Sequence, residues 1–216
     1  MNKYYIILAL FIIITMPIQA WAQSNEQPDT NYINLEKVSF VDFHDPGWII
    51  LKNEVGEEYI ADFYYDFIEY KDIDTWSSNE NLTITISEDK GIGIVREKTN
   101  QFYKLFFRKE HHPIEIKLKK CRQKGPMTDC FLDAANHWKV EADFAFSYFL
   151  KRLKDKQQQE NLIKSQEAWY KYRESIVNSY IEIPNYEGGT YGLTLAAKFY
   201  MVLDRSRYYD IAHFYE

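Results

Sequence analysis

The pattern of apolar and polar positions changes near Cys121. From about Val38 to Leu118, apolar residues alternate with polar ones in short runs rich in β-branched and aromatic side chains, a pattern typical of half-buried strands. Short strands separated by turn residues predict a small antiparallel barrel or sandwich. The alternation stops between 64 and 81, and the pattern predicts no secondary structure for that stretch. The runs are 38–43, 47–52, 58–63, 82–87, 92–95, 101–107 and 114–118.

After Cys121 the apolar positions recur at helical spacing. They predict three long amphipathic helices, over about 129–155, 162–180 and 193–211, with Thr128 or Asp129 as the first N-cap. Short connections between such helices favour an antiparallel bundle. The predicted fold class is therefore α+β: a small antiparallel β-rich, barrel-like domain over 37–120, followed by a three-helix domain over 121–216.

The first 22 residues have the form of a secretory signal peptide. Lys3 precedes an uncharged apolar run, and the small residues Ala20 and Ala22 stand before a polar segment. The apolar run has about 13 residues, well below the roughly 20 that span a bilayer, so a transmembrane anchor is the weaker alternative. We expect cleavage after Ala22, a flexible N-terminal segment over 23–36, and export to the periplasm or beyond the cell.

Charge is distributed unevenly along the chain. The 216 residues carry a net charge of -6 and are 46% hydrophobic, which excludes wholesale disorder and argues against a general nucleic-acid binder. Residues 26–89 hold 16 acidic and 3 basic side chains, residues 90–120 hold 3 acidic and 9 basic ones, and residues 121–216 hold 13 of each. An acidic lobe can steer a cationic partner, although a solvated acidic surface that keeps the protein soluble is the commoner meaning of such a pattern.

No residue pattern indicates catalysis, a cofactor or a bound metal. His111-His112 lacks the i, i+4 spacing of helical metal ligands and is expected in a solvated loop. Gly91-Ile92-Gly93 lacks the third glycine of a phosphate-binding loop, and no serine lies in a Gly-x-Ser-x-Gly elbow. These features favour a protein that is not an enzyme.

The two cysteines, Cys121 and Cys130, lie nine positions apart. In an exported chain this spacing favours a disulfide that closes the loop around Gly125-Pro126; two free thiols are the alternative. The bond would fasten the start of the first predicted helix to the end of the β-rich part.

The helical part resembles the domain family named after the lysozyme inhibitor LprI, which occurs in exported bacterial proteins. The resemblance covers roughly residues 121–214. Two of the family's cysteine positions hold Val177 and Phe199 here, and both replacements are apolar, as expected if the two positions face each other in the core. The matching motifs are Thr128-Asp129-Cys130 with Ala142-Asp143, then Gln166, Trp169, Tyr172-Arg173-Glu174, Gly188-Gly189-Thr190 and Leu203-Asp204-Arg205-Ser206-Arg207.

Four of these positions predict a structural polar core. Trp169 and Arg173 are one turn apart and share a helix face, so Trp169 is expected in the core, with Arg173 and Arg207 paired to carboxylates such as Asp143. An exposed aromatic and cationic patch for a partner is the alternative.

The resemblance implies a non-enzymatic binding protein that inhibits a lysozyme or a related cell-wall hydrolase. Because many lysozymes are strongly cationic, an acidic surface could dock against one. An envelope structural or adaptor protein without inhibitory activity is the alternative. The predicted acidic partner-binding patch comprises Glu54, Glu57, Glu58, Asp62, Asp66, Glu69, Asp72 and Asp74.

Overall fold

A computed structural model describes residues 32–44, 47–63, 73, 75–87, 89–181 and 190–212. The predicted signal peptide, 1–22, lies outside the described residues. Within them, no helix is both long and apolar enough to cross a membrane.

Six antiparallel strands form a closed barrel, which confirms the predicted β-rich architecture. The order around the barrel is β1-β2-β3-β6-β5-β4, and closure removes the exposed strand edges on which other chains could pair. β1 begins at Ile33, inside the segment predicted to be flexible, because its N-terminal end pairs with β4 from Ile33↔Ile86 onward. The strands are β1 (Ile33–His44), β2 (Trp48–Asn53), β3 (Glu58–Phe63), β4 (Asn81–Ser87), β5 (Gly91–Arg96) and β6 (Gln101–Phe107).

Strands β4 and β5 are buried along almost their whole length, and the Glu141 side chain of a helix lies against β5 at the backbone N–H of Ile92. Gly93 shows how closely the barrel wall is packed. A Cβ atom there would lie 2.3 Å from the backbone oxygen of Tyr103 and 2.5 Å from the Phe102 ring. A side chain at this position would therefore force β5 and β6 apart.

Four helices follow the barrel: α1 (Pro113–Arg122), α2 (Met127–Arg152), α3 (Lys156–Ile181) and α4 (Thr190–Ala212). The three long helices confirm the predicted helical part. The N-cap of α2 is Pro126, not Thr128 or Asp129 as predicted.

The prediction of a seventh strand over 114–118 is wrong, because these residues form α1. Pro113 occupies the first helical turn, where its missing N–H is not needed. The His112 ring accepts a hydrogen bond from the backbone N–H of Ile114 and caps the helix. Ile114 and Leu118 are both buried and lie four residues apart, so the same apolar residues that alternate like a strand also line one helix face.

The barrel and the helices share one hydrophobic core. His112 stacks on Trp138 of α2 with a centroid distance of 4.1 Å, and Phe107 of β6 and Tyr208 of α4 pack around this pair. Burial, with a smaller contribution from the nearby Lys104 ammonium, lowers the pKa of His112 well below its usual value. His112 is therefore a neutral core residue, and the expected solvated loop at this position is wrong.

Beside this cluster, Lys104 of β6 and Glu141 of α2 form an ion pair with 2.9 Å between Nζ and Oε1. Their side chains are 0% and 1% exposed. The Glu141 carboxylate also accepts a hydrogen bond from the backbone N–H of Ile92. One carboxylate thus links two barrel strands to α2.

The predicted disulfide between Cys121 and Cys130 is confirmed. It connects the last turn of α1 to the first turn of α2. Gly125 N–H donates to the Cys121 carbonyl across the enclosed loop, at 2.8 Å. The bond holds the end of α1 against the start of α2.

Removing this bond should measurably weaken the fold. We expect the double variant Cys121→Ala/Cys130→Ala to lose about 2–3 kcal/mol of unfolding free energy, because a short closed loop no longer restricts the unfolded chain. Urea unfolding of oxidised wild type, reduced wild type and the variant measures this loss. Equal midpoints for oxidised wild type and the variant would contradict it.

Candidate interaction surface

The described acidic residues of the predicted patch lie around the β2–β3 hairpin and along β3. Buried Asn53 organises the turn: its Oδ1 accepts from the backbone N–H groups of Val55 and Glu57, at 3.2 and 2.8 Å. Gly56 has φ +85°, a conformation that suits glycine. This geometry holds Glu54 exposed at the tip of the hairpin.

Cations lie beside three of the four described members of that patch. Glu57 pairs with Lys120 of α1 at 2.8 Å, and this contact, together with Asn53, lowers the pKa of the Glu57 carboxyl group. Glu58 and Asp62 each lie 3.6 Å from a cation, Lys52 and Arg108 respectively. The predicted patch members Asp66, Glu69, Asp72 and Asp74 lie outside the described residues.

A ladder of polar contacts joins α3 to α4. Nε and Nη2 of Arg173 donate hydrogen bonds to the two oxygens of the Asp204 carboxylate, at 2.7 and 2.9 Å. Arg207 Nε donates to Gln166 Oε1 at 2.8 Å. The carboxylate that pairs with Arg173 is therefore Asp204 and not the predicted Asp143, and Arg207 pairs with an amide instead of a carboxylate.

The other two predicted core residues lie at the edge of this ladder. Asp143 of α2 accepts hydrogen bonds from Lys139 and Tyr170. Trp169 is half-buried, and its ring lies 5.9 Å from the guanidinium carbons of both Arg173 and Arg207. The arrangement is a packed cation–aromatic stack between helices.

Helix α3 buries few side chains, so polar contacts matter more for its attachment than they do for the other long helices. Its only buried side chains within the described residues are Gln166 and Val177. The apolar Val177, at a position where the family commonly has cysteine, is fully buried. Gln166 and Arg173 thus hold α3 against α4.

A different surface of the helical part is open. α1, α2 and α4 enclose a groove of about 390 Å³. Its lining is mainly apolar, and Met127 and Tyr191 at its edge are 48% and 59% exposed. The short Thr128–Thr194 hydrogen bond joins α2 and α4 beside it. The groove lining comprises Glu115, Leu118, Arg122, Met127, Phe131, Tyr191, Thr194, Leu195, Lys198, Met201, Val202 and Arg205.

Sequence reasoning did not single out this groove. The groove residues come from three helices. On each helix, their spacing is the same as that of residues predicted to face the core. Met127 and Tyr191 each lie next to a helix start, which offered a weak signal because apolar residues there often remain uncovered.

Comparison with known proteins finds a family that the helical part resembles. Residues 119–211 match the family model described as Lysozyme inhibitor LprI. The helical part is LprI-like. The match begins inside α1 and ends inside α4, so it includes the disulfide, the polar ladder and most of the groove, and it excludes the barrel. No curated protein and no solved structure matches the chain.

Proposed function

We propose that this chain is an exported, non-enzymatic binding protein that inhibits a lysozyme or a related cell-wall hydrolase. The observation that carries this proposal is the LprI match over residues 119–211. The motif residues Arg173 and Arg207 support it, since their contacts join α3 to α4 in the matched region. The disulfide is consistent with an oxidising compartment outside the cytoplasm.

The acidic N-terminal half supplies a second, weaker reason. Residues 26–89 hold 16 acidic and 3 basic side chains, and a field of that sign attracts a cationic enzyme over a distance of about a Debye length. We assign steering to this region. Because Glu57, Glu58 and Asp62 are already paired with cations, they have little left to offer in direct contacts.

Binding to immobilised lysozyme tests the proposal. We expect the chain without residues 1–22 to bind, with an association rate that falls as the salt concentration rises and a dissociation rate that changes less. The negative control is a protein of similar size and no net charge, immobilised at the same density. Absence of binding at both low and high salt would contradict the proposal.

An adaptor without inhibitory activity is the second candidate function, and the open apolar groove is the observation that favours it. Measuring lysozyme activity while the chain is bound to its partner distinguishes the two functions. An adaptor would bind a partner and leave lysozyme activity unchanged, whereas an inhibitor reduces activity in proportion to the bound fraction.

A further inference from the structure

The groove between α1, α2 and α4 has the composition of a protein-binding surface. Its edge exposes Met127, Tyr191 and Arg122, and methionine, tyrosine and arginine are enriched in protein interfaces relative to the remaining surface. Met201 and Phe131 are buried beneath them. A partner side chain that enters the groove would therefore meet a packed apolar floor.

The edge of the groove is also cationic. Arg205 and Glu115 form a salt bridge at 3.0 Å, so these two charges compensate each other. Arg122 and Lys198 are exposed, and neither has an ion-pair partner among the described residues. Two positive charges thus flank an apolar recess in a protein whose net charge is -6.

We propose that this groove is the surface that contacts the hydrolase, a step that rests on the proposed function. Enzymes that cleave the glycosidic bonds of cell walls use a pair of carboxyl groups in their cleft. A lysozyme therefore carries negative charge at its active site, whatever its net charge. Arg122 and Lys198 complement that local charge, and the apolar recess receives a side chain from the margin of the cleft.

The barrel and the groove then have separate roles. The acidic half of the chain raises the encounter rate, while the groove supplies the short-range contact that keeps the enzyme bound. The extent of the LprI match agrees with this division, because it includes ten of the twelve groove residues and no strand of the barrel.

Two exchanges at the groove, each with a matched control on α3, test the inference. Tyr191→Ala removes an exposed ring, and Tyr172→Ala removes a ring that is similarly exposed, at 55%, on α3. Lys198→Glu reverses an exposed charge at the groove, and Lys164→Glu does so on α3. The measurement is the concentration of each variant that halves the rate of cell-wall lysis by lysozyme, with thermal unfolding as the check on folding.

We expect Tyr191→Ala and Lys198→Glu each to raise that concentration at least about tenfold, the size expected for contacts at the centre of an interface. The two α3 controls should stay within about twofold of wild type, and all four variants should keep the wild-type melting temperature within a few degrees. If wild type inhibits and the groove variants inhibit equally well, the groove assignment is wrong and the proposed function stands. If wild type itself does not inhibit, both fail.

Discussion

The Glu141→Gln variant is expected to lose about 3–5 kcal/mol of unfolding free energy, because it removes the Glu141 countercharge from the buried Lys104 ammonium. Glutamine keeps the size of the side chain and an oxygen that can accept from Ile92 N–H. The loss therefore reports the charge alone. Urea unfolding at pH 7, followed by far-ultraviolet circular dichroism, measures it.

The pH dependence of this loss has a definite sign. Burial lowers the pKa of Lys104, and Glu141 opposes that shift. Without Glu141 the pKa of Lys104 in the folded state falls further below its unfolded value. The deficit is largest below the folded pKa of Lys104 and shrinks as the pH rises from the folded to the unfolded pKa, because the folded state loses the proton first.

The double variant Lys104→Met/Glu141→Gln is the control. It removes the buried cation and leaves a neutral acceptor for Ile92 N–H, so its stability should return to within about 1–2 kcal/mol of wild type. A double variant as unstable as Glu141→Gln would show that the loss comes from packing, and it would contradict the role assigned to the ion pair.

The Arg173→Met variant should cost about 3–5 kcal/mol, because it leaves the Asp204 carboxylate, which is 0% exposed, without its bidentate partner. Burial already raises the pKa of Asp204, and Arg173 opposes that shift. In the variant the pKa rises further. The deficit is then absent below the unfolded pKa of an aspartate, grows as the pH rises from the unfolded to the folded pKa, and is complete above the folded pKa.

Denaturant unfolding at pH 4 and pH 7 checks this sign. Arg173→Met/Asp204→Asn removes the buried charge and should recover most of the stability at pH 7. A deficit in Arg173→Met that is equal at both pH values would show that Asp204 is not an uncompensated buried carboxylate, and it would contradict the account of how α3 is held.

The sequence predicted the six barrel strands because their runs are rich in β-branched and aromatic residues, and the half-buried strands β2 and β3 add a period-two pattern. The strand prediction for residues 114–118 was wrong because five residues are too few to distinguish a period of 2 from a period of 3.6. Ile114 and Leu118 lie four residues apart, which fits both periods. Proline at position 113 was the signal that could have decided in favour of a helix.

The sequence pattern also did not identify contacts between residues that lie far apart along the chain, because local periodicity carries no information about them. Lys104 is the one charged residue of β6, and nothing local shows that Glu141, 37 residues later, lies against it. For Arg173, helical periodicity gave the correct face but could not choose between Asp143 and Asp204. The groove depends on how three helices meet, which no single helix pattern contains.

Titration of lysozyme with the purified chain lacking residues 1–22, read as the rate of cell-wall lysis, is the most direct test of the central claim. We expect activity to fall in proportion to added protein and to reach a low plateau, and we expect the Lys198→Glu variant to require a higher concentration for the same effect. Full lysozyme activity in a large molar excess of the folded, oxidised protein would contradict it.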